Sequence, residues 1–328
     1  MRAYLGIDGG GTHTRSLLIS ESGHILGRAV TGPSNVQQIS SQALRATLQQ
    51  LLNQTFVNLP DEIECIASCF GLAGAATAHN KAEIRDTLGS LIPVPSEPPI
   101  LTSDAHIALV GALGDCPGLM LVAGTGSICL GRDVDGIIHR TGGWGAAFDD
   151  LGSGFWIGRK AVQMTFQESD GRRPSGRWQS NVLKLLSCNT IEHLLCKLKS
   201  GEINNSHIAE LAPVVIHLSQ EGVSVAADIL NHAVRELVVA ISTTYRKVKL
   251  GTAPLVLVGG LLEQSEILRD QLSAALQIEE PKIQIQMSLM CPIAGAVVLA
   301  CQKSNDNVPN KLEQALIALG NDSSVITR

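Results

Sequence analysis

Two short glycine-rich segments carry the clearest chemical signal in this sequence. DGGGT at residues 8–12 and GTGS at residues 124–127 each combine glycines with a hydroxyl residue, between two apolar stretches. Glycine lets successive backbone N–H groups point at one place with no Cβ in the way, and such a nest binds anions, most often phosphate. Neither segment is a P-loop or a dinucleotide fingerprint, because no Gly-Lys-Ser/Thr occurs and a strand rather than a helix follows. One such segment could be an ordinary hairpin turn, but two indicate a polyphosphate held from both sides.

Two aspartates lie where they could serve phosphoryl transfer. Asp8 ends the first predicted strand, and its carboxylate could hold Mg²⁺ through water, since that ion keeps much of its hydration shell. Asp104 follows another predicted strand where a helix begins, with Ser103 as a plausible N-cap. Helix capping would be its ordinary role. Its place between the two glycine segments instead favours a general base that takes a proton from an attacking hydroxyl.

Two further glycine-rich stretches could hold the organic parts of substrates. In GGWG at residues 142–145, glycines on both sides of Trp144 give its backbone conformational freedom. Proteins commonly bind sugars with such a flat ring together with carboxylates, here Asp149 and Asp150. A solvated turn is the alternative for that acidic pair. Gly259 and Gly260 follow a predicted strand and precede a helix, where they could admit an adenine or a ribose or simply form a tight turn.

The elements around these segments repeat. A strand, a glycine turn and two more strands open each half of the chain, which predicts an α/β fold with duplicated architecture and a cleft between the halves. The predicted domains are residues 1–115 and the larger 116–328, which carries a helical insert at about 155–250. In the first half, Cys65 and Cys69 lie four apart on a predicted strand and are expected on one buried face.

Composition excludes several classes of protein. Of 328 residues, 45% are hydrophobic and 17% are charged, which excludes a disordered chain. The net charge of −5 and the lack of a basic run argue against a nucleic-acid partner. No signal-peptide pattern or membrane-length apolar stretch is present, so we expect a cytoplasmic protein without a membrane partner. The nine histidines show no zinc-ligand spacing.

Taken in order from about residue 3 to 301, these motifs resemble the N-acetylglucosamine kinase branch of the BadF/BadG/BcrA/BcrD ATPase family. That family belongs to the actin–hexokinase–Hsp70 superfamily. The resemblance implies two RNase H-like domains with an interdomain cleft that closes on ATP, Mg²⁺ and a sugar. It also implies a possible homodimer.

The resemblance assigns roles to individual residues. It implies that Asp104 is the catalytic base and also a sugar contact. The residues implied to bind the nucleotide, with Asp8 steering Mg²⁺ through water, are Asp8, Gly9, Gly10, Gly11, Thr12, Gly124, Thr125, Gly126, Gly259 and Gly260. The residues implied to contact the sugar are Asn35, Asp104, Ser127, Gly143, Trp144, Gly145 and Asp150.

The family comparison leaves the substrate open. N-acetylglucosamine, phosphorylated on its C6 hydroxyl, is the expected acceptor. The family often has Gly-Asp-Glu-Gly where this chain has Asp149-Asp150-Leu151-Gly152. The extra carboxylate of Asp149 could pair with an ammonium group, which would favour glucosamine. A more distant alternative is an ATPase that activates an acyl-CoA reductase or dehydratase through a Cys-bound iron–sulfur cluster, but Cys129 near the second glycine segment has no matching partner.

Overall fold

The computed structural model of the protein describes residues 1–60, 62–89, 91, 98–174, 176–304 and 307–320. Its contacts divide the chain into two compact units. Unit 1 comprises residues 1–116 together with residues 287–328, and unit 2 comprises residues 117–286.

Strands and helices follow one another along the described chain in this order. The first part contains β1 (Arg2–Gly9), β2 (Thr14–Ser20), β3 (Ile25–Thr31), α1 (Ser41–Thr55), β4 (Glu64–Leu72), α2 (Ala78–Leu88), β5 (Ile100–Thr102) and α3 (Asp104–Leu113). The second part opens with β6 (Gly118–Ala123), β7 (Ser127–Arg132) and β8 (Ile138–Gly142). It continues with α4 (Gly154–Ser169), α5 (Trp178–Leu185), α6 (Ile191–Ser200), α7 (Asn205–Ala209), α8 (Ala212–Gln220) and α9 (Ser224–Val248). The remaining elements are β9 (Ala253–Val258), α10 (Gly260–Gln264), α11 (Glu266–Glu279), β10 (Ile283–Gln286), α12 (Pro292–Ser304) and α13 (Asn310–Gly320).

The two units contain sheets of the same topology. The order is β3-β2-β1-β4-β5 in unit 1 and β8-β7-β6-β9-β10 in unit 2. In both sheets the first three strands are antiparallel and the last two pair in parallel. This repeated order confirms the predicted α/β class and its duplicated architecture.

The C-terminal segment belongs to unit 1, which differs from the predicted domain of residues 116–328. Helix α12 is buried on most of its surface and packs against β1, β4 and α3. Its side chains form one hydrophobic cluster with Tyr4, Cys69 and Ile107. Burial of apolar surface is the main favourable term in folding, so this strongly apolar helix packs where a sheet face is still uncovered.

A bulge in β4 changes which face its cysteines occupy. The pairing of β4 with β1 shifts between Ala3, opposite Cys65, and Tyr4, opposite Ala67. As a result Cys69 packs with α12, whereas Cys65 packs against the other side of the sheet. The expectation that both thiols share one face was wrong because a bulge adds one residue and breaks the alternation of the strand.

The helices from α4 to α9 occupy the position of the predicted insert. Helix α9 is the longest of the described helices, and it packs along the unit 2 sheet through Val234, Leu237 and Ile241. Helices α4, α5 and α8 form a separate cluster around Trp156 and Trp178. Among the described residues, no helix is both long and apolar enough to cross a membrane.

We expect Gly295→Ala to lower the free energy of unfolding by about 1–3 kcal/mol. A Cβ at this position would stand 2.1 Å from the carbonyl oxygen of Ile107 and 2.5 Å from the amide nitrogen of Gly111, so α12 and α3 would have to separate. Alanine favours a helix over glycine by about 1 kcal/mol, so propensity alone would raise the stability. A net decrease in the free energy of unfolding must therefore come from the steric contact between α12 and α3. Urea denaturation followed by circular dichroism measures this loss.

Gly32→Ala in the same unit is the control, because no heavy atom lies within 4 Å of its added Cβ. Equal midpoints for the two variants would contradict the packing of α12 described above.

Candidate active site

The strand register of unit 1 brings two aspartates to one edge of the sheet. Asp8 lies opposite Gly71 in the parallel β1–β4 pair, and Gly71 lies opposite Thr102 in the parallel β4–β5 pair. Asp104 follows two residues after Thr102, as the first residue of α3. The carboxyl ends of parallel strands meet at one edge, where α/β proteins commonly bind ligands.

Both carboxyl groups at this edge are harder to ionise than usual. The pKa of Asp8 is raised to about 6, chiefly by burial; the charge of Arg15 opposes the shift, and the charge of Asp104 adds to it. The Arg15 guanidinium lies 3.9 Å from the Asp8 carboxylate. Burial also raises the pKa of Asp104, against the Ala105 N–H that donates to its Oδ1 at 2.9 Å. This edge therefore favours a cation or a shared proton.

The first glycine segment forms a closed turn beside Asp8. The Gly10 N–H donates to the His13 carbonyl at 2.9 Å, and the Gly10 carbonyl accepts from the Ser34 N–H at 3.0 Å. Gly11 and Thr12 are exposed, and among the described residues their N–H groups make no hydrogen bond. Exposed N–H groups of a glycine-rich turn that make no hydrogen bond to the described chain could donate to a phosphate group.

The loop after β3 packs against this turn and includes one residue that the sequence reasoning missed. Ser34 is fully buried, and its hydroxyl has no hydrogen-bond partner in the part of the chain that the structure describes. A Cβ on Gly9 would stand 2.1 Å from that oxygen. Asn35 follows directly, and its Oδ1 accepts the Gln37 N–H at 3.0 Å. Its amide NH₂ group therefore remains as the available donor of that side chain. Only tertiary contacts could reveal Ser34, because a serine in a Gly-Pro-Ser loop is an ordinary turn residue.

The second glycine segment, in unit 2, is closed in a similar way. The Gly124 N–H donates to the Gly126 carbonyl at 2.9 Å. The carbonyls of Gly124 and Thr125 accept from the N–H groups of Gly154 and Phe155, at 2.8 and 3.1 Å. These bonds tie the segment to the N-terminus of α4 and leave Thr125 exposed.

Gly259 and Gly260 lie beside this second segment. Val122 and Val258 are opposite each other in the parallel β6–β9 pair, which places the ends of the two strands side by side. Gly259 has a φ of +103°, and a Cβ there would stand 2.5 Å from the Ala123 carbonyl oxygen. Glycine is required at this position by both its conformation and its neighbour.

Asp150 is also brought against the second segment. Its carboxylate accepts backbone N–H groups of Gly145 and Ser127, and a Cβ on Gly126 would stand 2.7 Å from its Oδ2. Burial raises the pKa of Asp150, and these hydrogen bonds oppose the rise. Its φ is +56°, a conformation that is uncommon for residues other than glycine and is often retained at functional sites.

Trp144 projects from a loop of glycines. Its side chain is 73% exposed, and Gly142, Gly143 and Gly145 around it all have positive φ. The Trp144 N–H donates to Oδ2 of Asp149 at 3.0 Å. The ring packs against Arg140, whose guanidinium carbon lies 4.3 Å from the ring centroid. The sequence analysis did not identify this arginine. A basic residue four positions before the tryptophan was the available signal.

Two findings bear on the iron–sulfur alternative. Cys129 is fully buried in β7, and burial raises the pKa of its thiol to about 12. Within the described residues, no three His, Cys, Asp or Glu side chains come together as a metal site. A buried, protonated thiol is a poor metal ligand, since the thiolate is the ligating form.

Comparison with known proteins identifies the family. The model of the BadF/BadG/BcrA/BcrD ATPase family matches residues 5–300. The chain belongs to the BadF/BadG/BcrA/BcrD ATPase family. The resemblance found in the sequence is thereby confirmed.

Curated relatives of this ATPase-family chain are named as kinases of amino sugars. It is 31% identical over 303 residues to the N-acetylmuramic acid/N-acetylglucosamine kinase of Clostridium acetobutylicum, covering 92% of this chain and 98% of the relative. It is 32% identical over 178 residues to the glucosamine kinase GspK of Vibrio cholerae, covering 53% of this chain and 58% of the relative.

A solved structure supports the same fold for this ATPase-family chain. A Chromobacterium violaceum protein, provisionally assigned as an N-acetylglucosamine kinase, superposes with a TM-score of 0.71 at 28% identity. The match covers 91% of this chain and 99% of that protein. This likeness confirms the expected RNase H-like, actin-like ATPase fold of the two units.

We expect Asp8→Asn to stabilise the protein at pH 7.5 when divalent cations have been removed. The folded-state pKa is about 6 against an ordinary 3.8, so ionisation of Asp8 costs stability as pH rises through that interval. The gain should be roughly 1–3 kcal/mol at pH 7.5 and should fall to about 0.6 kcal/mol or less near pH 4. Denaturation of both proteins in a chelator at the two pH values measures it. A variant less stable than the parent at pH 7.5 would refute this account of Asp8.

Proposed function

We propose that this member of the family is an ATP-dependent amino sugar kinase that phosphorylates the C6 hydroxyl of N-acetylglucosamine. The observation that carries the proposal is the meeting of Asp8 and Asp104 at one sheet edge, beside a glycine turn with free N–H groups. The names of the curated relatives agree on amino sugar kinases. The position of phosphorylation and the identity of the sugar are the finer parts of the proposal.

The residues at the two glycine segments fit ATP and Mg²⁺. We assign the phosphates to the turn at Gly9, Gly10, Gly11 and Thr12 and to the segment Gly124, Thr125 and Gly126, and the adenosine to Gly259 and Gly260. The Asp8 carboxylate would hold Mg²⁺ through water, and its raised pKa means that a bound cation would offset an unfavourable charge. When bound, ATP and Mg²⁺ would supply the phosphoryl group and neutralise the charge that develops on it.

Asp104 is suited to act as the base. Its raised pKa lies closer to neutrality than that of a solvated aspartate, which improves proton transfer from a hydroxyl. One carboxylate oxygen is fixed by the Ala105 N–H, so the side chain has a preferred orientation. In the proposed reaction Asp104 orients the C6 hydroxyl and accepts its proton as the oxygen attacks phosphorus.

The sugar is assigned to residues from both units. In unit 2, Trp144 offers an exposed ring, and Asp150, held by two backbone N–H groups, can accept hydrogen bonds from sugar hydroxyls. We add Ser127, Gly143 and Gly145, which belong to the same loop cluster, and Asn35 from unit 1. The proposed reaction takes place in the cytoplasm, where ATP is present. A homodimer is the proposed assembly.

N-acetylglucosamine is favoured over glucosamine by the contacts of Asp149. One oxygen of this carboxylate already accepts the Trp144 N–H, which gives Asp149 a role in shaping the loop. The proposal therefore does not need an ammonium partner for it. The relative named for N-acetylglucosamine also matches over nearly the whole chain, whereas the one named for glucosamine matches over about half.

We expect Asp104→Asn to lower kcat for sugar phosphorylation by about 10²–10⁴, because the amide cannot accept the proton. ADP release coupled to NADH oxidation measures the rate, and ³¹P NMR of the product locates the phosphate. Asp228→Asn, an exposed position on α9, is the matched control. A wild-type rate for Asp104→Asn would exclude Asp104 as the base, and a phosphate elsewhere than on C6 would exclude the proposed acceptor.

We expect the specificity constant kcat/KM to be higher for N-acetylglucosamine than for glucosamine. Asp149→Asn should change the ratio of the two constants by less than about threefold, since the amide oxygen can still accept the Trp144 N–H. A panel of sugars assayed with both proteins tests this. If Asp149→Asn selectively abolishes glucosamine turnover, Asp149 pairs with the ammonium group and the glucosamine alternative gains.

A further inference from the structure

Arg140 contacts the loop of Trp144 at three places. Its guanidinium carbon lies over the indole ring, 4.3 Å from the centroid. Its Nε donates to the Gly142 carbonyl at 2.8 Å, and its Nη2 donates to the Gly143 carbonyl. One side chain therefore holds both the backbone that leads into Trp144 and one face of its ring.

These contacts matter because the glycine-rich backbone of the loop can adopt many conformations. Gly142, Gly143 and Gly145 have φ values of +75°, +73° and +102°. Glycine in this region has no steric preference that would fix the direction of Trp144. Apart from the contacts of Arg140, the described residues hold Trp144 through the hydrogen bond from its N–H to Asp149, which leaves the ring free to rotate about its side-chain bonds.

The backbone of Arg140 is held by strand pairing and by hydrogen bonds from a neighbouring helix. It lies in β8, opposite Leu130 of β7. Helix α9 donates three hydrogen bonds to the same stretch of strand, one of them from Lys247 Nζ to the Thr141 hydroxyl at 3.2 Å. Lys247 donates to the Arg140 carbonyl at 2.8 Å, and the Thr244 hydroxyl donates to that of Thr141 at 2.9 Å. Helix α9 thus holds the backbone of β8 at Arg140. The guanidinium in turn donates to the Gly142 and Gly143 carbonyls and covers one face of the Trp144 ring.

We propose that Arg140 is a positioning residue that sets the sugar affinity of the site by holding the Trp144 ring in place. This inference rests on the proposed function, since it takes Trp144 as a sugar contact. A planar guanidinium can stack on an indole and donate two fixed hydrogen bonds at once, which a lysine ammonium cannot reproduce. The effect on catalysis should therefore pass through Trp144 and appear in the KM for sugar.

The kinetic test uses Arg140→Met, Arg140→Lys and the same changes in a Trp144→Leu background. We expect Arg140→Met to raise the KM for sugar about tenfold, with kcat and the KM for ATP within about twofold. Arg140→Lys should raise the KM less, because it keeps the positive charge. In the Trp144→Leu background, either change should alter the KM by less than about twofold, since the group through which Arg140 acts is gone. Arg246→Met, on the exposed surface of α9, is the control for loss of a charge.

Fluorescence provides a readout that does not depend on sugar turnover. Trp144 is 73% exposed, whereas Trp156 and Trp178 are 6% and 8% exposed, so acrylamide quenching reports chiefly on Trp144. Quenching should increase in Arg140→Met, and to a smaller extent in Arg140→Lys, but not in Arg246→Met.

The outcomes separate the two proposals. A KM effect that persists in full without Trp144, a fall in kcat at constant KM, or unchanged quenching would overturn the role of Arg140. If Arg140→Met does not fold, the Lys series decides by the same criteria. If the wild-type protein phosphorylates no sugar, the proposed function fails, and quenching still decides whether Arg140 holds the ring.

Discussion

The parallel pairing of β1, β4 and β5 is the constraint on which the candidate chemistry depends. It aligns Asp8, Gly71 and Thr102, so that the residue beginning α3 is Asp104 at the same sheet edge. Ionising two partly buried carboxyl groups near each other is unfavourable. Burial raises the pKa of both, and the charge of Asp104 adds to the rise at Asp8. A fold retains such an arrangement when a ligand charge or a proton compensates for it, which links the sheet topology directly to phosphoryl transfer.

The two units hold their glycine turns in place in the same way. In each unit a short glycine turn joins the first strand to the antiparallel second strand. Carbonyl groups of the turn accept hydrogen bonds from a neighbouring segment, which is Ser34 in unit 1 and the start of α4 in unit 2. These ties fix the turns while leaving Gly11, Thr12 and Thr125 exposed. Preorganised donors of this kind can stabilise developing charge without rearranging during the reaction.

The loop between β8 and α4 combines permissive backbone with strong side-chain anchors. Its glycines allow left-handed turns, and Arg140, Asp149 and Asp150 then hold the result through contacts to Trp144 and to backbone N–H groups. Charged residues that appear in the sequence as a solvated turn are therefore part of the internal structure of this loop. Their contacts fix the shape of the loop that we propose to bind the sugar.

The sequence by itself determined the α/β class, the repeated strand–turn–strand pattern and the nature of the candidate groups, because alternation, glycine turns and strand ends are local signals. Local signals could not reveal the bulge that places Cys65 and Cys69 on opposite faces, nor the return of α12 to the first sheet. They also could not reveal the buried Ser34 hydroxyl or the stacking of Arg140 on Trp144. Tertiary structure decided those features. Each depends on which apolar surfaces and which side chains lie next to one another once the strands have paired.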